Sequence, residues 1–348
     1  MLRKSNGDAR SVTGSMPADD LVAALRAAAE PTRLRILVLL AAGELNVKDM
    51  QLILGQSQPR ISRHLKLLAE AGLVERFREG SWVYFHISDR TEGGRLALSL
   101  VGTVRGDDTT TRRDRERAET LKRERESAAQ DYFREHAADW DRIRALHIPE
   151  SAVEEAMGQA LGAGPFRLFV DLGTGTGRTL ELFAPRYARG LGIDVNQAML
   201  ALARANLARA GLPQAQVRHG DMYNLSLPDA SADAVVMHQV LHYLSEPGIA
   251  IAEAARVLVP GGKLLIVDFA PHEQEFLRSA HAHERLGFGT GQIGKWCAEA
   301  GLAIKTTKEL KPARDTAGQL TVMVWLAERP AAHRRPAKPN EASLEEIR

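Results

Sequence analysis

The residues whose spacing carries the most chemistry are Phe169-Val170-Asp171-Leu172-Gly173-Thr174-Gly175-Thr176-Gly177. A short apolar run ends in an acid and breaks into alternating glycines, and a helix-like segment, Arg178 to Pro185, follows at once. That order predicts a strand, a tight loop and a helix N-terminus. Glycine permits positive φ and lets a ligand approach the backbone with no Cβ in the way. A helix start offers N–H groups and the positive end of a dipole. The loop therefore suits a small ligand with an anionic end. Its G-x-G-x-G spacing departs from the G-x-G-x-x-G of dinucleotide sites. A second acid, Asp194, closes Gly190-Leu191-Gly192-Ile193, where it can accept the hydroxyls of a ribose. A third, Asp221, closes Val217-Arg218-His219-Gly220. Acids at the ends of three successive strands suit an adenosine with an amino-acid tail and disfavour the pyrophosphate of a nicotinamide or flavin cofactor.

These motifs, in this order over roughly residues 130–328, resemble the class I S-adenosylmethionine-dependent methyltransferases of the ubiquinone/menaquinone kind (type 11). The resemblance implies S-adenosyl-L-methionine as cofactor and S-adenosyl-L-homocysteine as product. It places Gly173, Thr174 and Gly175 at the methionine end, Asp194 on the ribose, and Val195 or Met199 against the adenine. Asp221 would accept the adenine amino group with Met222 beside the ring, and His238 with Gln239 would face the sulfonium. Asp171 either joins this set or only fixes the loop through backbone N–H groups. Methyl transfer is an in-line displacement at an activated carbon, so the protein mainly aligns the nucleophile and excludes water. A base is needed only where the nucleophile holds its proton tightly. His242, Tyr243 and His272 are candidates for that base, with His281 and His283 as further ones, and the sequence does not choose among them. No metal is expected: His281, His283 and Glu284 do not share a helix face. Cys297 is the only cysteine, which excludes an intrachain disulfide and a thiolate cluster.

The elements that must hold these residues read as strands at 167–172, 188–194, 215–220, 233–238, 263–269, 304–310 and 320–327, with helical segments between. Alternation of this kind predicts a parallel sheet with helices on both faces. The last connection is too short for a crossover helix, so the last strand should be antiparallel. The resemblance implies the strand order 3-2-1-4-5-7-6. Tyr132-Phe133, His136, Trp140 and Ile143 form an aromatic stripe on a helix before the sheet, which either packs in the core or folds over the cofactor.

Earlier in the chain, residues 18–104 predict four short helices, a hairpin over Leu73 to Arg78 and Val83 to Ile87 with its tip at 79–81, and a closing helix, Arg90 to Val104. Asp19 or Asp20 can cap the first helix and Ser57 the fourth. In that fourth helix Ile61, Leu65 and Leu68 face a core, which leaves Gln58, Arg60, Arg63, His64 and Lys66 largely on the other face. Helix-turn-helix plus hairpin is a winged helix, whose second helix enters the major groove; Arg76 and Arg78 on the wing would touch phosphates. The runs Glu30 to Ile36, Ser62 to Leu68 and Gly72 to Val74 resemble the ArsR/SmtB repressor family. The first helix and Leu96, Leu98, Leu100 and Val101 are apolar enough to pair two subunits, and the resemblance also implies a homodimer and hence a palindromic double-stranded DNA operator. Metal-sensing members carry cysteines where this chain has Asn46 and Lys48, so metal sensing is not expected.

The fold class is therefore multidomain: an α+β winged helix-turn-helix followed by an α/β Rossmann-like methyltransferase. The expected boundaries are a disordered lead at 1–17, the DNA-binding domain at 18–104, an exposed charged helical connector at 105–128, the methyltransferase at 129–328 and a disordered tail at 329–348. With 348 residues, a net charge of only +2 and no long apolar segment, a cytoplasmic protein is expected. The functional expectation is a transcriptional regulator, a repressor by family resemblance, whose methyltransferase domain binds the cofactor and methylates a small molecule. The alternative is a small-molecule methyltransferase whose winged helix serves dimerisation or autoregulation. The acceptor, the effector and the operator are left open, as is whether turnover is retained.

Overall fold

The computed structural model describes residues 16–79, 82–89, 91–137, 150–312 and 319–331. Most of the expected lead and most of the expected tail lie outside the described residues, as do Gly80 and Ser81 of the hairpin tip and Trp140 and Ile143 of the aromatic stripe. The chain divides into two compact units. The first holds the chain up to Tyr132 together with Tyr243–Glu246 and Pro271–Gly287; the second holds Phe133–His242, Pro247–Ala270 and the chain from Phe288 onward. No described helix is long and apolar enough to cross a membrane.

The first unit runs α1 (Ala18–Ala28), α2 (Pro31–Leu40), β1 (Leu45–Asn46), α3 (Val47–Leu54), α4 (Gln58–Glu70), β2 (Glu75–Glu79), β3 (Trp82–His86), α5 (Glu92–Gly102) and α6 (Thr109–His136). Pro31 opens α2 at a position that needs no N–H, and Glu30 caps it by accepting the Arg33 N–H at 2.9 Å. Ser57 stands at the N-cap of α4 but makes no side-chain cap bond, and Asp19 and Asp20 lie inside the first turn of α1, after Pro17. Ile61, Leu65 and Leu68 are fully buried as the helical period requires, in one core with Ile36, Leu37, Met50, Ile53 and Phe85. Strands β1, β3 and β2 pair antiparallel in that order.

Helix α6 differs from the exposed connector that its charges predict. Thr111 and Asp114 are buried, and Ala118 and Leu121 pack against the winged-helix core. These residues, with Arg125, recur at alternating spacings of three and four, which puts them on one helix face. Two of the five are charged, so an apolar-period reading passes over the face. Asp114 accepts two bonds from Arg35, at 2.6 and 2.7 Å, and Arg117 donates to the Ile53 carbonyl at 3.0 Å.

The second unit adds α7 (Glu150–Leu161), β4 (Phe166–Leu172), α8 (Arg178–Phe183), β5 (Tyr187–Asp194), α9 (Gln197–Arg209), β6 (Ala215–His219), β7 (Ala232–His238), α10 (Pro247–Val257), β8 (Leu258–Phe269), α12 (Thr290–Glu299) following α11 (Phe276–Ala280) of the first unit, β9 (Ala303–Leu310) and β10 (Val322–Glu328). The seven-stranded sheet has the order β6-β5-β4-β7-β8-β10-β9. Counted within the sheet this is 3-2-1-4-5-7-6, the order the resemblance implied. Strand β10 is antiparallel to both neighbours, while β6, β5, β4, β7 and β8 run parallel. Val235, Val236 and Met237, and Leu264 to Val267, are fully buried. Continuous apolar runs of this sort are what a sheet covered on both faces demands. The order reverses beside β4, which places a crevice at its carboxyl end.

Candidate functional site

At that carboxyl end, Gly173, Gly175 and Gly177 all take positive φ, at 72°, 51° and 86°. A Cβ on Gly173 would come within 2.4 Å of the Val240 side chain, so the turn after β7 closes down on the turn after β4 and leaves room only for glycine. The loop is stitched to β5: the N–H groups of Gly173 and Thr174 donate to the Ile193 carbonyl at 2.8 and 3.1 Å. Helix α8 is six residues long, shorter than its sequence suggests, and gives way to a 3-10 turn at Ala184–Arg186. The loop backbone rather than a long dipole therefore defines the site.

Asp194 ends β5 with one oxygen accepting the Gly175 N–H at 2.9 Å and the other the Asn196 N–H at 2.8 Å. Burial pushes its carboxyl above the ordinary aspartate range, against the opposing pull of these backbone donors. Val195 beside it is 37 % exposed, an apolar side chain left uncovered next to a buried acid. Met199 and Met222 are buried, and Asp221 is exposed with one oxygen accepting the Tyr223 N–H at 2.8 Å. An exposed apolar residue, a buried acceptor at a strand end and a glycine turn that excludes Cβ atoms together fit a nucleoside with an amino-acid tail.

Two residues of the expected set face inward. Asp171 is 1 % exposed and accepts the Thr174 hydroxyl at 2.6 Å. Thr174 in turn fills the space over Gly192, where a Cβ would sit 2.5 Å from its hydroxyl oxygen. Their side chains brace the loop, and what Thr174 offers outward is backbone.

On the other flank of β4, His238 ends β7 and is half-buried. Gln239 follows with φ of 51° and donates its N–H to the Val267 carbonyl at 2.7 Å. A non-glycine residue in that region costs energy and turns up where the surroundings over-determine it. Sequence reading gives no signal for it. Next comes His242, 2 % exposed, with Nδ1 2.7 Å from Oδ1 of Asp268, which is itself fully buried at the end of β8. Tyr243 and His272 belong to the first unit, so the three base candidates fall in two different units. In the first unit the Tyr132 hydroxyl lies 2.7 Å from His281 Nδ1, and the rings of Tyr243 and His283 meet edge to face at 5.3 Å. Among the described residues no group of three or more His, Cys, Asp or Glu side chains is placed to hold a metal. Cys297 is buried, and burial pushes its thiol up to about 12.

The face expected from the sequence to meet DNA lies within the first unit. Gln58, Arg60, Arg63 and Lys66 on α4 are exposed, as are Arg76 and Arg78 on β2. His64 turns aside from them: its Nδ1 is 3.6 Å from Glu30, and burial holds the imidazole below its usual range. The same unit contains a charge network. Arg125 of α6 bridges buried Asp49 of α3 and Glu284, the latter at 2.9 Å; Arg285 reaches Glu44 at 3.1 Å; Lys122 reaches Glu246 at 2.5 Å. Arg278 lies 3.9 Å over the Trp82 ring and Arg285 4.5 Å over Tyr84. The segments after β7 and β8 are thereby fastened to the winged helix.

Comparison with known proteins agrees with both units. A family model described as a methyltransferase domain matches residues 170–266, and one described as a bacterial regulatory protein of the arsR family matches residues 30–76. An uncharacterized 37.1 kDa protein in transposon TN4556 of Streptomyces fradiae is 32 % identical over 44 % of this chain and 48 % of its own length. A probable S-adenosylmethionine-dependent methyltransferase of Mycolicibacterium smegmatis is 31 % identical over 40 % of this chain and 52 % of its own. The ubiquinone/menaquinone biosynthesis C-methyltransferase UbiE of Caulobacter vibrioides is 30 % identical over 42 % of this chain and 61 % of its own. The chain thus spans about half the length of the curated relatives it matches. It carries an arsR-family helix-turn-helix region joined to a methyltransferase domain of the S-adenosylmethionine-dependent class.

Proposed function

We propose that this protein is a DNA-binding transcriptional regulator whose methyltransferase domain binds S-adenosylmethionine or S-adenosylhomocysteine and transfers the methyl group to a small molecule. The observation that carries the reading is the turn after β4, where three positive-φ glycines and the Gly175–Asp194 bond present a cradle of bare backbone at the carboxyl end of the strand, packed so closely that a Cβ on Gly173 would strike Val240. The backbone of Gly173 to Gly175 would take the amino-acid tail, Asp194 the ribose, and Val195 with Met199 and Met222 the adenine. Bound there, the cofactor supplies an electrophilic methyl on a sulfonium. The residues around it orient the acceptor and exclude water. Calorimetric titration with S-adenosylmethionine, S-adenosylhomocysteine and NADH tests the site: the first two should bind in micromolar range or tighter, and NADH not at all. Binding of NADH alone would overturn the reading.

The regulatory half of the proposal rests on the exposed basic face of α4 and on apolar side chains left uncovered on α1: Leu21, Val22 and Leu25. A second copy of the chain covering them would set two recognition helices about one helical turn apart on a palindromic operator. Cofactor occupancy would then alter operator affinity. Operator affinity that stays constant with and without saturating S-adenosylmethionine and S-adenosylhomocysteine would defeat that coupling. The enzyme-first reading, in which the winged helix only pairs subunits or restrains activity, is favoured if labelled cofactor gives a specific product and no operator is bound.

A further inference from the structure

The outer edge of β6 is used by neither the cofactor turn nor the winged helix. Strand β6 ends the seven-stranded sheet, with β5 on one side only. Gly190 donates its N–H to the Gln214 carbonyl at 3.0 Å, and Gly220 donates to the Asp194 carbonyl at 3.1 Å. In a parallel ladder alternate residues turn both backbone groups to the same neighbour. Gln214, Gln216, Arg218 and Gly220 therefore face β5, while Ala215, Val217 and His219 turn their N–H and C=O groups the other way. Ala215 gives its N–H to the Leu212 carbonyl at 3.1 Å, which closes the turn before the strand. The outward groups of Val217 and His219 have no partner among the described residues. Such an edge is a template for a further strand.

Beside it lies a cavity of about 530 Å³, lined by β6, the second half of α9 and the turn that joins them. Its walls combine the apolar side chains of Leu207, Leu212, Pro213 and Val217 with two arginines, Arg204 and Arg218. Both arginines are exposed, and neither has an acidic partner among the described residues. The charge keeps one sign over a longer stretch: from Val195 to Gly220 the chain holds Arg204, Arg209 and Arg218 and no aspartate or glutamate. The opposite edge of the sheet, β9, carries both signs in Lys305, Lys308 and Glu309, and its Lys308 donates to Gln159 at 3.1 Å.

Charge and backbone together select the occupant. A second copy would set the same acid-free segment against itself, and like charges facing each other across strands destabilise the pairing. DNA has the right sign but leaves the apolar wall and the carbonyls of Val217 and His219 without partners. An extended acidic peptide satisfies all three features at once, with main-chain bonds for affinity and side chains for specificity. We propose that this edge is a docking site for an extended, acidic segment of a partner protein. The segment adds a strand outside β6, seats apolar side chains against Leu207 and Leu212, and pairs its carboxylates with Arg204 and Arg218.

The test selects a displayed library of random linear peptides on the full-length protein, then measures the enriched sequences by fluorescence anisotropy. They should alternate apolar residues with aspartate or glutamate. The double variant Arg204→Glu with Arg218→Glu should weaken them about 100-fold at low salt, and Arg218→Ala alone a few-fold. Methylating alternate peptide nitrogens should abolish binding in one phase and spare it in the other, because only every second residue of an added strand turns its N–H to β6. Hydrogen exchange at the Val217 and His219 amides should slow on binding. The melting temperature and S-adenosylhomocysteine affinity of the double variant should match the wild type, which separates lost docking from lost folding. Should that variant misfold, Arg218→Ala and the methylated peptides still decide. A selection that enriches nothing, peptides that hold the double variant as tightly as the wild type, or peptides indifferent to methylation in either phase would overturn the proposal. So would a changed oligomeric state of the double variant in sedimentation, which would give the edge to a second copy. Lost DNA affinity in that variant with no peptide enriched would overturn it in favour of nucleic acid.

Discussion

The turn after β4 and the charge network of the winged-helix unit are built in opposite ways. The turn is made chiefly by backbone: nine consecutive residues with glycines at the positive-φ positions, joined to Asp194 of the next strand, whose carboxylate is clasped by main-chain N–H groups. The network is made by side chains: Glu44, Asp49, Lys122, Arg125, Glu246, Glu284 and Arg285, drawn from positions scattered along the chain. The difference decides how each can fail. A backbone site tolerates loss of side chains and is destroyed by adding a Cβ. A charge network tolerates unmatched loss least where its members are buried, as Asp49 and Arg285 are, because a charge left in a low-dielectric place without its partner is costly.

The largest effect should come from unpairing the network. Asp49 is 2 % exposed at its side chain, with Arg125 as its partner. Replacing Arg125→Met leaves a buried carboxylate with its counter-charge gone, which costs about 3–5 kcal/mol. Thermal or urea unfolding of the full chain should show it. The double variant Arg125→Met with Asp49→Leu should recover part of the loss, because the Asp49 charge is gone while Glu284 still lacks its Arg125 partner. If the single variant costs less than about 1 kcal/mol, Asp49 is better hydrated than its burial indicates, and the contrast with the glycine turn loses one side. The same pair of variants tests coupling: operator affinity should lose its response to S-adenosylhomocysteine if the network is what fastens the segments after β7 and β8 to α3.

Next in size is the turn itself. Gly173→Ala adds one methyl group at φ of 72°, 2.4 Å from Val240. We expect S-adenosylhomocysteine affinity to fall about 100-fold, roughly 2.7 kcal/mol, with little change in the exposed face of α4. Thr174→Val, by contrast, keeps the volume over Gly192 and removes only the hydroxyl donated to Asp171, so it should cost far less affinity than Gly173→Ala. Reversal of that order would mean that side chains, not backbone, define the cradle.

This contrast also explains what the sequence made legible. The glycine turn, Asp194 and the alternation of strands are local patterns, each set by a few neighbouring residues, so the parallel sheet and its antiparallel last strand could be expected from them, whereas the strand order came from the family resemblance. The winged-helix core was readable from Ile61, Leu65 and Leu68 for the same reason. Helix α6 was not, because its inward face at Thr111, Asp114, Ala118, Leu121 and Arg125 mixes charge with apolar residues. Its burial depends on Arg35 and Asp49, many positions away. His64 followed the helical period onto the basic face, yet Glu30 at the start of α2 draws it aside. The Asp268–His242 pair shows the same limit, since nothing in the turn after β7 or in β8 alone announces a partner 26 residues off.

The basic face of α4 is a third construction, exposed side chains on a rigid helix, and sharpens the comparison because each residue there should act alone. Arg63→Ala should weaken operator binding about 10- to 100-fold and relax preference at one base pair if it reads an edge. Arg76→Ala on the wing should weaken all sequences alike and reduce the salt dependence of binding. His64→Ala should do neither, and its cost should appear in unfolding through the Glu30 contact.

The smallest effect is one of pH, and it lies in the carboxylate that the cradle's backbone clasps. Burial raises the Asp194 carboxyl above its unfolded value of about 3.9. The fold therefore favours the protonated form, so this group's contribution to stability is fully present below the unfolded value and is lost as pH rises through the folded one. Asp194→Asn carries no such titration. The melting temperature of Asp194→Asn relative to wild type should therefore climb as pH rises from about 3.5 through the mildly acidic range and then level off, even as the variant binds S-adenosylhomocysteine more weakly. A difference that stays flat across that range would mean that the Gly175 and Asn196 N–H groups compensate the burial in full. The backbone would then hold the charge as completely as the arginines hold theirs in the other unit.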